Sequence, residues 1–323
     1  MPDYAVVTEK LRRSFDDLVA VDGIDLQVRA GEIYGFLGPN GAGKSTAVRM
    51  LTTLLMPTSG TAFVAGRDVI REPVEVRLRI GAALQDAALD PKQTGRELLR
   101  LQGRLYGLSG RDIDMRIGEL ESLIEIGDAI KRQVGTYSGG MKRRLDLAAS
   151  LMHNPEVLFL DEPTTGLDPI SRSRIWDEVR RINRELGVTI FLTTQYLEEA
   201  DALADRIGII THGKLAIEGT PAELKRQLGS DVIVARVDGD AQDAKRAVES
   251  IEAIEAVDVY DEELSIRVAN GAGFISAVAL ALNESSIRVR ELTLRTPTLD
   301  DVLLSVTGGR LQREEAASEE AER

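Results

Sequence analysis

The sequence predicts an α/β protein built on a parallel sheet, joined to a small α+β domain. Three observations point there. The runs "VLFLDEP" and "VTIFLTTQ" are apolar without alternation, as strands covered on both faces are. "GPNGAGKST" follows the apolar run "EIYGFLG", which makes a strand–glycine loop–helix unit. Beyond about residue 228 the order of elements changes to β-α-β-β-α-β, the split-βαβ pattern.

The elements follow in chain order. Up to Val28, the stretches "AVVTEKL" and "VAVDGIDLQV" read as strands punctuated by Asp-Asp and Asp-Gly turns. From Thr94 to Ile126 the apolar spacing is helical, with "TGRELLRLQGRLYGL" and "RDIDMRIGELESLIEI" as two helices. "FLTTQYLEEAD" begins as a buried strand and continues as a helix, with the neutral amide of Gln195 at the junction. "RIGIITHGKLAIEG" reads as a hairpin turning at Thr211-His212-Gly213, so His212 is expected as a turn residue. His153, beside Asn154-Pro155, is expected as a cap or surface residue. The last helix is expected from Thr298, with Leu299, Val302, Leu303 and Val306 on one face.

Composition narrows the chemistry. The 323 residues carry a formal net charge of -13, which argues against phosphate neutralisation on a nucleic acid, so no nucleic-acid partner is expected. The chain has no cysteine and two histidines, so thiol catalysis and Cys- or His-rich metal sites are excluded. Apolar runs are too short to span a bilayer and the first residues lack an apolar signal core. If the protein works at a membrane, it does so through a partner.

The phosphate chemistry is concentrated in two stretches. Gly38, Pro39, Asn40, Gly41, Ala42 and Gly43 form a loop whose backbone N–H groups curl toward phosphate. Lys44 reaches the β- and γ-phosphates, Ser45 is placed to ligate Mg2+, and Thr46 continues into a helix whose positive end adds to the site. "VLFLDEP" ends in two adjacent carboxylates. Asp161 suits a magnesium ligand, and Glu162, pointing differently, suits a general base that acts on water.

"YSGGMKRR", Tyr137 to Arg144, resembles the signature of ATP-binding-cassette (ABC) ATPases, usually Leu-Ser-Gly-Gly-Gln. Ser138 is a good N-cap, and Gly139 and Gly140 expose N–H groups at a helix start. With "GPNGAGKST" before it and "LDEPTTGLD" after it, the resemblance covers about Tyr4 to Gly219. It implies a P-loop NTPase of ABC-cassette type, with a RecA-like core, an antiparallel β-subdomain and a helical subdomain at about 86–138. It also implies two copies closing head to tail over two ATP, each signature facing the other's nucleotide.

Further roles come only from the resemblance. Phe15 matches an aromatic that stacks on adenine, or else is a core residue. Gln85 matches a glutamine that touches Mg2+ and the attacking water, and Asp168 an aspartate at the dimer interface. Gln195 stands where most relatives have a histidine contacting the γ-phosphate; an amide keeps the contact and loses any proton relay.

"TTQYLEEADALADRIGII" and "TPTLDDVLLSVTG" resemble the daunorubicin-resistance, drug-exporting branch, which pairs one cassette with a small C-terminal domain and a membrane subunit. The expected domains are 1–228 for the cassette, 229–309 for the accessory domain and 310–323 for a disordered charged tail. The expected function is the ATPase subunit of a drug exporter, docked through its helical subdomain on a permease at the cytoplasmic face of the membrane. The alternatives are a soluble, non-transport ABC ATPase and a weakly hydrolysing regulator. The C-terminal domain is open to dimer support, ligand binding or permease contact.

Overall fold

The computed structural model describes residues 3–84, 89–227, 231–238, 241–260, 263–285 and 287–306. Expectations for Gln85, for the start of the helical segment at 86–88, for the boundary at Leu228-Gly229-Ser230 and for the tail 310–323 fall outside them. The chain divides into two compact units, Met1–Pro221 and Ala222–Arg323.

The first unit opens with a hairpin of β1 (Tyr4–Phe15) and β2 (Leu18–Arg29), turning at Asp16-Asp17. β3 (Ile33–Leu37) leads into the glycine loop and α1 (Lys44–Leu51). β4 (Ser59–Val64), β5 (Arg67–Asp68), α2 (Pro73–Arg77) and β6 (Ile80–Ala83) follow. The helical part holds α3 (Gly95–Leu105) and α4 (Gly110–Ile124), then two short 3-10 turns. α5 (Gly139–Ser150), β7 (Val157–Asp161), α6 (Pro169–Leu186), β8 (Thr189–Thr194) and α7 (Leu197–Leu203) come next. The unit closes with the hairpin β9 (Arg206–Thr211) and β10 (Lys214–Gly219).

Two sheets form. One is antiparallel, in the order β2-β1-β4-β5. The other runs β10-β9-β3-β8-β7-β6, parallel except for its β10 edge. Every residue of β3, β7 and β8 is buried, which is why these strands read as apolar runs without alternation. One core fills the space between the two sheets, where Phe36 and Phe159 each pack on Phe191 at 5.5 Å. A second core joins the parallel sheet to α3, α4, α5 and α6.

Local signals start the helices where the sequence puts them. Thr94 and Glu97 form a reciprocal capping box on α3, and Ser109 caps α4. Asp168 caps α6, with Pro169 at its first position, and Gly187 ends it at φ 66°. His153 departs from the expected surface role: its ring stacks on Tyr106 at 3.6 Å and Nε2 is 2.9 Å from the Ile80 carbonyl.

The division falls after the first residue of α8 (Pro221–Arg226), and the second unit continues with β11 (Asp231–Asp238), α9 (Ala241–Glu249), β12 (Ile254–Tyr260), β13 (Glu263–Val268), α10 (Gly271–Glu284) and β14 (Arg288–Arg295). Its antiparallel sheet has the order β12-β13-β11-β14, so both helices cover one face, the ferredoxin-like arrangement. Residues 299–306 are helical, with Leu299 and Val302 buried. Among the described residues no helix is long and apolar enough to cross a membrane.

Candidate functional site

Sheet order decides which strand ends meet. β8 lies between β3 and β7, and all three run parallel, so their C-terminal ends open on one edge. Gly38 follows β3, Gln195 follows β8 and Glu162 follows β7. Gln195 therefore emerges between the glycine loop and the acidic pair. The loop is tied to β8 through Gly38 N, which donates to the Thr194 carbonyl at 3.2 Å.

These strand ends line an open cleft of about 700 Å³. Asn40, Gly41, Gly43, Lys44, Ser45 and Thr46 line it together with Glu162, Thr165 and Gln195. Phe15 stands at its side, 40% exposed rather than in the core, with the Arg13 guanidinium 4.4 Å from its ring centre. Gly43 sits at φ 106°, and a Cβ there would lie 2.3 Å from the Ala20 carbonyl; only glycine fits.

Lys44 is 4% exposed and its Nζ donates to the carbonyls of Gly38 (2.8 Å) and Pro39 (3.1 Å). The same nitrogen is 3.3 Å from Glu162 Oε1. Buried behind it, Asp161 Oδ1 accepts from Ser45 Oγ at 3.2 Å and from Thr193 Oγ1 at 2.5 Å. A hydroxyl and a carboxylate at this spacing make an all-oxygen donor set of the kind that suits a hard cation such as Mg2+. Glu162 has φ 48°, unusual for a residue with a side chain. Its N–H is held by the carbonyl and hydroxyl oxygens of Thr193, both at 3.1 Å.

The SGG segment lies apart from this cleft. Ser138 Oγ accepts from Met141 N at 3.3 Å and starts α5. A Cβ on Gly139 would touch Leu167, and one on Gly140 would touch Ser171, so the segment borders the Asp168 turn. Asp168 accepts from the N–H groups of Ile170 and Ser171, both at 3.0 Å, and from Ser171 Oγ; these bonds hold its carboxyl below the usual range. Tyr137, in place of the usual leucine, is buried and donates its hydroxyl to the Ala129 carbonyl at 2.5 Å.

Several residues at the site gave no motif signal. Thr193 supports both carboxylate positions from the neighbouring strand. Glu199 is fully buried and accepts from Thr164 Oγ1 (2.8 Å) and Trp176 Nε1 (2.9 Å), and burial pushes its carboxyl up. The turn residue His212 lines the cleft because Gly213 N donates to Ala42 O (3.0 Å) and Gly213 O accepts from Asp22 N (2.8 Å). No sequence pattern marks these contacts, since each is made between distant elements.

Fold and cleft together define a P-loop nucleotide-binding protein. Residues 21–165 match the ABC transporter family, and residues 219–307 match the C-terminal domain of DrrA1-3-like ATP-binding proteins. The chain is 46% identical over 321 residues to the daunorubicin resistance ATP-binding protein DrrA3 of Streptomyces coeruleorubidus, covering 98% of this chain and 100% of the relative. It is 47% identical over 326 residues to the daunorubicin/doxorubicin resistance ATP-binding protein DrrA of Streptomyces peucetius, covering 99% and 98%. The linearmycin resistance ATP-binding protein LnrL of Bacillus subtilis is 35% identical over 307 residues, covering 94% and 98%. Among solved structures, cbiO1 of Clostridium perfringens, part of the cbiONQ ABC transporter complex, superposes with a TM-score of 0.64 at 28% identity, covering 69% of this chain and 90% of that one. The chain belongs to the ABC transporter family of ATP-binding proteins, in the DrrA-like group, and is an ATPase of that type.

Proposed function

We propose that this chain hydrolyses ATP to drive export of drug-like molecules through a separate membrane permease. The observation that carries the catalytic part is the placement of Glu162: it stands beside Lys44, in the same cleft as the phosphate loop and Gln195. Support for the cargo class comes from relatives named for resistance to daunorubicin, doxorubicin and linearmycin.

Each residue then has a task. The N–H groups of the Gly38–Thr46 loop and Lys44 hold the triphosphate, and Phe15 stacks on adenine. Ser45 and Asp161 would hold Mg2+, with Gln85 the further ligand that the family resemblance implies, and the ion would supply positive charge against that developing on the phosphates. Glu162 orients the attacking water and takes its proton. Gln195, between Glu162 and the loop, donates an amide N–H to the γ-phosphate and carries no proton charge.

Ser138, Gly139, Gly140 and Asp168 are not among the residues lining this cleft, which supports their action on the ATP of a second copy in a head-to-tail pair. The permease docks on the helical subdomain at about 86–138, where Leu101 and Leu105 of α3 are exposed, and holds the protein at the cytoplasmic face of the membrane. The test is phosphate release by wild type and Glu162→Gln, with ATP binding measured in parallel. Expected is retained binding with turnover reduced at least about 100-fold; equal turnover removes Glu162 from the catalytic role.

A further inference from the structure

Arg143 lies on α5, the helix that Ser138 starts, yet its side chain reaches the backbone at the ends of β6 and β7. All five of its N–H donors are engaged. Nε donates to the Pro163 carbonyl at 3.0 Å, and Nη2 to the carbonyls of Asp161 (3.2 Å) and Ala83 (3.3 Å). Nη1 donates to the Leu84 carbonyl at 2.7 Å and to Asp146 Oδ2 at 3.2 Å. The side chain is 11% exposed, so these bonds face little competition from water.

Two of the acceptors flank Glu162. Its left-handed backbone, φ 48°, is a sparsely populated conformation that persists only where the surroundings over-determine it. Thr193 holds the N–H of Glu162 from the β8 side. Arg143 holds the carbonyls on either side of Glu162 from the α5 side. The other two carbonyl acceptors, Ala83 and Leu84, are the last described residues before Gln85. One guanidinium thus ties the root of the Gln85 segment to the turn that carries the catalytic carboxylate.

We infer that Arg143 is the positioning residue for Glu162, setting where its carboxylate stands relative to the phosphate loop. Asp146 orients the guanidinium, one turn further along the same helix. It also lines a groove of about 240 Å³ between the end of α1, β6 and α3, with Thr52, Gln102 and Tyr106. Burial of the pair favours keeping both partners, since a lone charge there would lack compensation. The geometry requires a planar fork: a lysine ammonium has three donors on a point charge and cannot span four carbonyls and a carboxylate.

The inference rests on Glu162 as the catalytic carboxylate, so the test separates the two. The full chain is prepared as wild type, R143K, E162Q and the R143K/E162Q double variant. Nucleotide affinity is read with a fluorescent ATP analogue, and kcat and KM by phosphate release. For R143K we expect analogue affinity within about twofold of wild type and kcat down about 100-fold, because a misplaced catalytic group costs turnover rather than binding. In the E162Q background, R143K should lower the residual rate no further, since the group it positions is already gone. Wild-type kcat in R143K, or a loss of the same size in both backgrounds, overturns the positioning role. Equal rates in wild type and E162Q overturn the assignment of Glu162 instead. Should R143K not fold, R143Q keeps a planar two-donor head, and the same comparison against E162Q/R143Q decides.

Discussion

Lys44 and Glu162 form an ion pair at the mouth of the phosphate loop, Nζ to Oε1 3.3 Å, with both side chains largely buried. The lysine is also bonded to the carbonyls of Gly38 and Pro39, so its charge is parked against the loop it would serve. A γ-phosphate entering the cleft offers the ammonium a stronger, charged acceptor. Exchange of that partner would release Glu162 toward water. Lys44→Ala removes the phosphate contact and leaves Glu162 without its cation, so ATP affinity should fall at least about 10-fold. A fluorescent-nucleotide titration checks this; unchanged affinity would remove Lys44 from phosphate binding.

Gln195 yields a prediction about pH. An amide does not titrate, whereas a histidine changes charge between about pH 5 and 8. The ratio of kcat in Gln195→His to kcat in wild type should therefore vary across that range. A constant ratio would mean that position 195 only touches its surroundings and passes no proton or charge to the reaction.

Glu178 on α6 links stability to pH. Its carboxyl is pushed up from 4.5 to about 7, by burial first, although Arg144 Nε is only 3.0 Å from Oε1. Among the described residues neither Glu178 Oε2 nor Arg144 Nε has a hydrogen-bond partner, so the attraction of the pair is not backed by a hydrogen bond and burial prevails. With a folded value above the unfolded one, the folded chain holds the proton more tightly. The contribution is fully present below 4.5 and is lost as pH rises through about 7. The stability of wild type relative to Glu178→Gln should fall over that window by up to about 1.4 kcal/mol per pH unit. Denaturant melts at several pH values measure it; parallel curves for the two proteins would show that Glu178 keeps an ordinary pKa.

Much of the architecture is legible in the chain because local rules act on neighbouring residues. The runs around Phe36, Phe159 and Phe191 lack alternation because both faces of β3, β7 and β8 are covered. Thr94, Ser109, Ser138 and Asp168 mark helix starts because a side-chain oxygen needs only the N–H groups two or three residues ahead. The β-α-β-β-α-β order of the second unit likewise follows from successive turns. Phe15 was open between core and cleft, and packing placed it at the cleft with Arg13 over its ring. His153 reads as a surface residue in the sequence because its partners, Tyr106 and Ile80, are distant along the chain.

By itself the sequence determined the phosphate loop, the Asp161-Glu162 pair, the SGG segment and the family, since each is a contiguous pattern with its own backbone chemistry. Tertiary structure decided what surrounds them. Strand order put Gln195 between the loop and Glu162, and a hairpin register brought His212 to the cleft. A guanidinium on α5 came to hold the carbonyls on either side of Glu162. These contacts join atoms whose separation along the chain has no periodicity, so only folding, which brings distant backbone groups into hydrogen-bonding range, could reveal them.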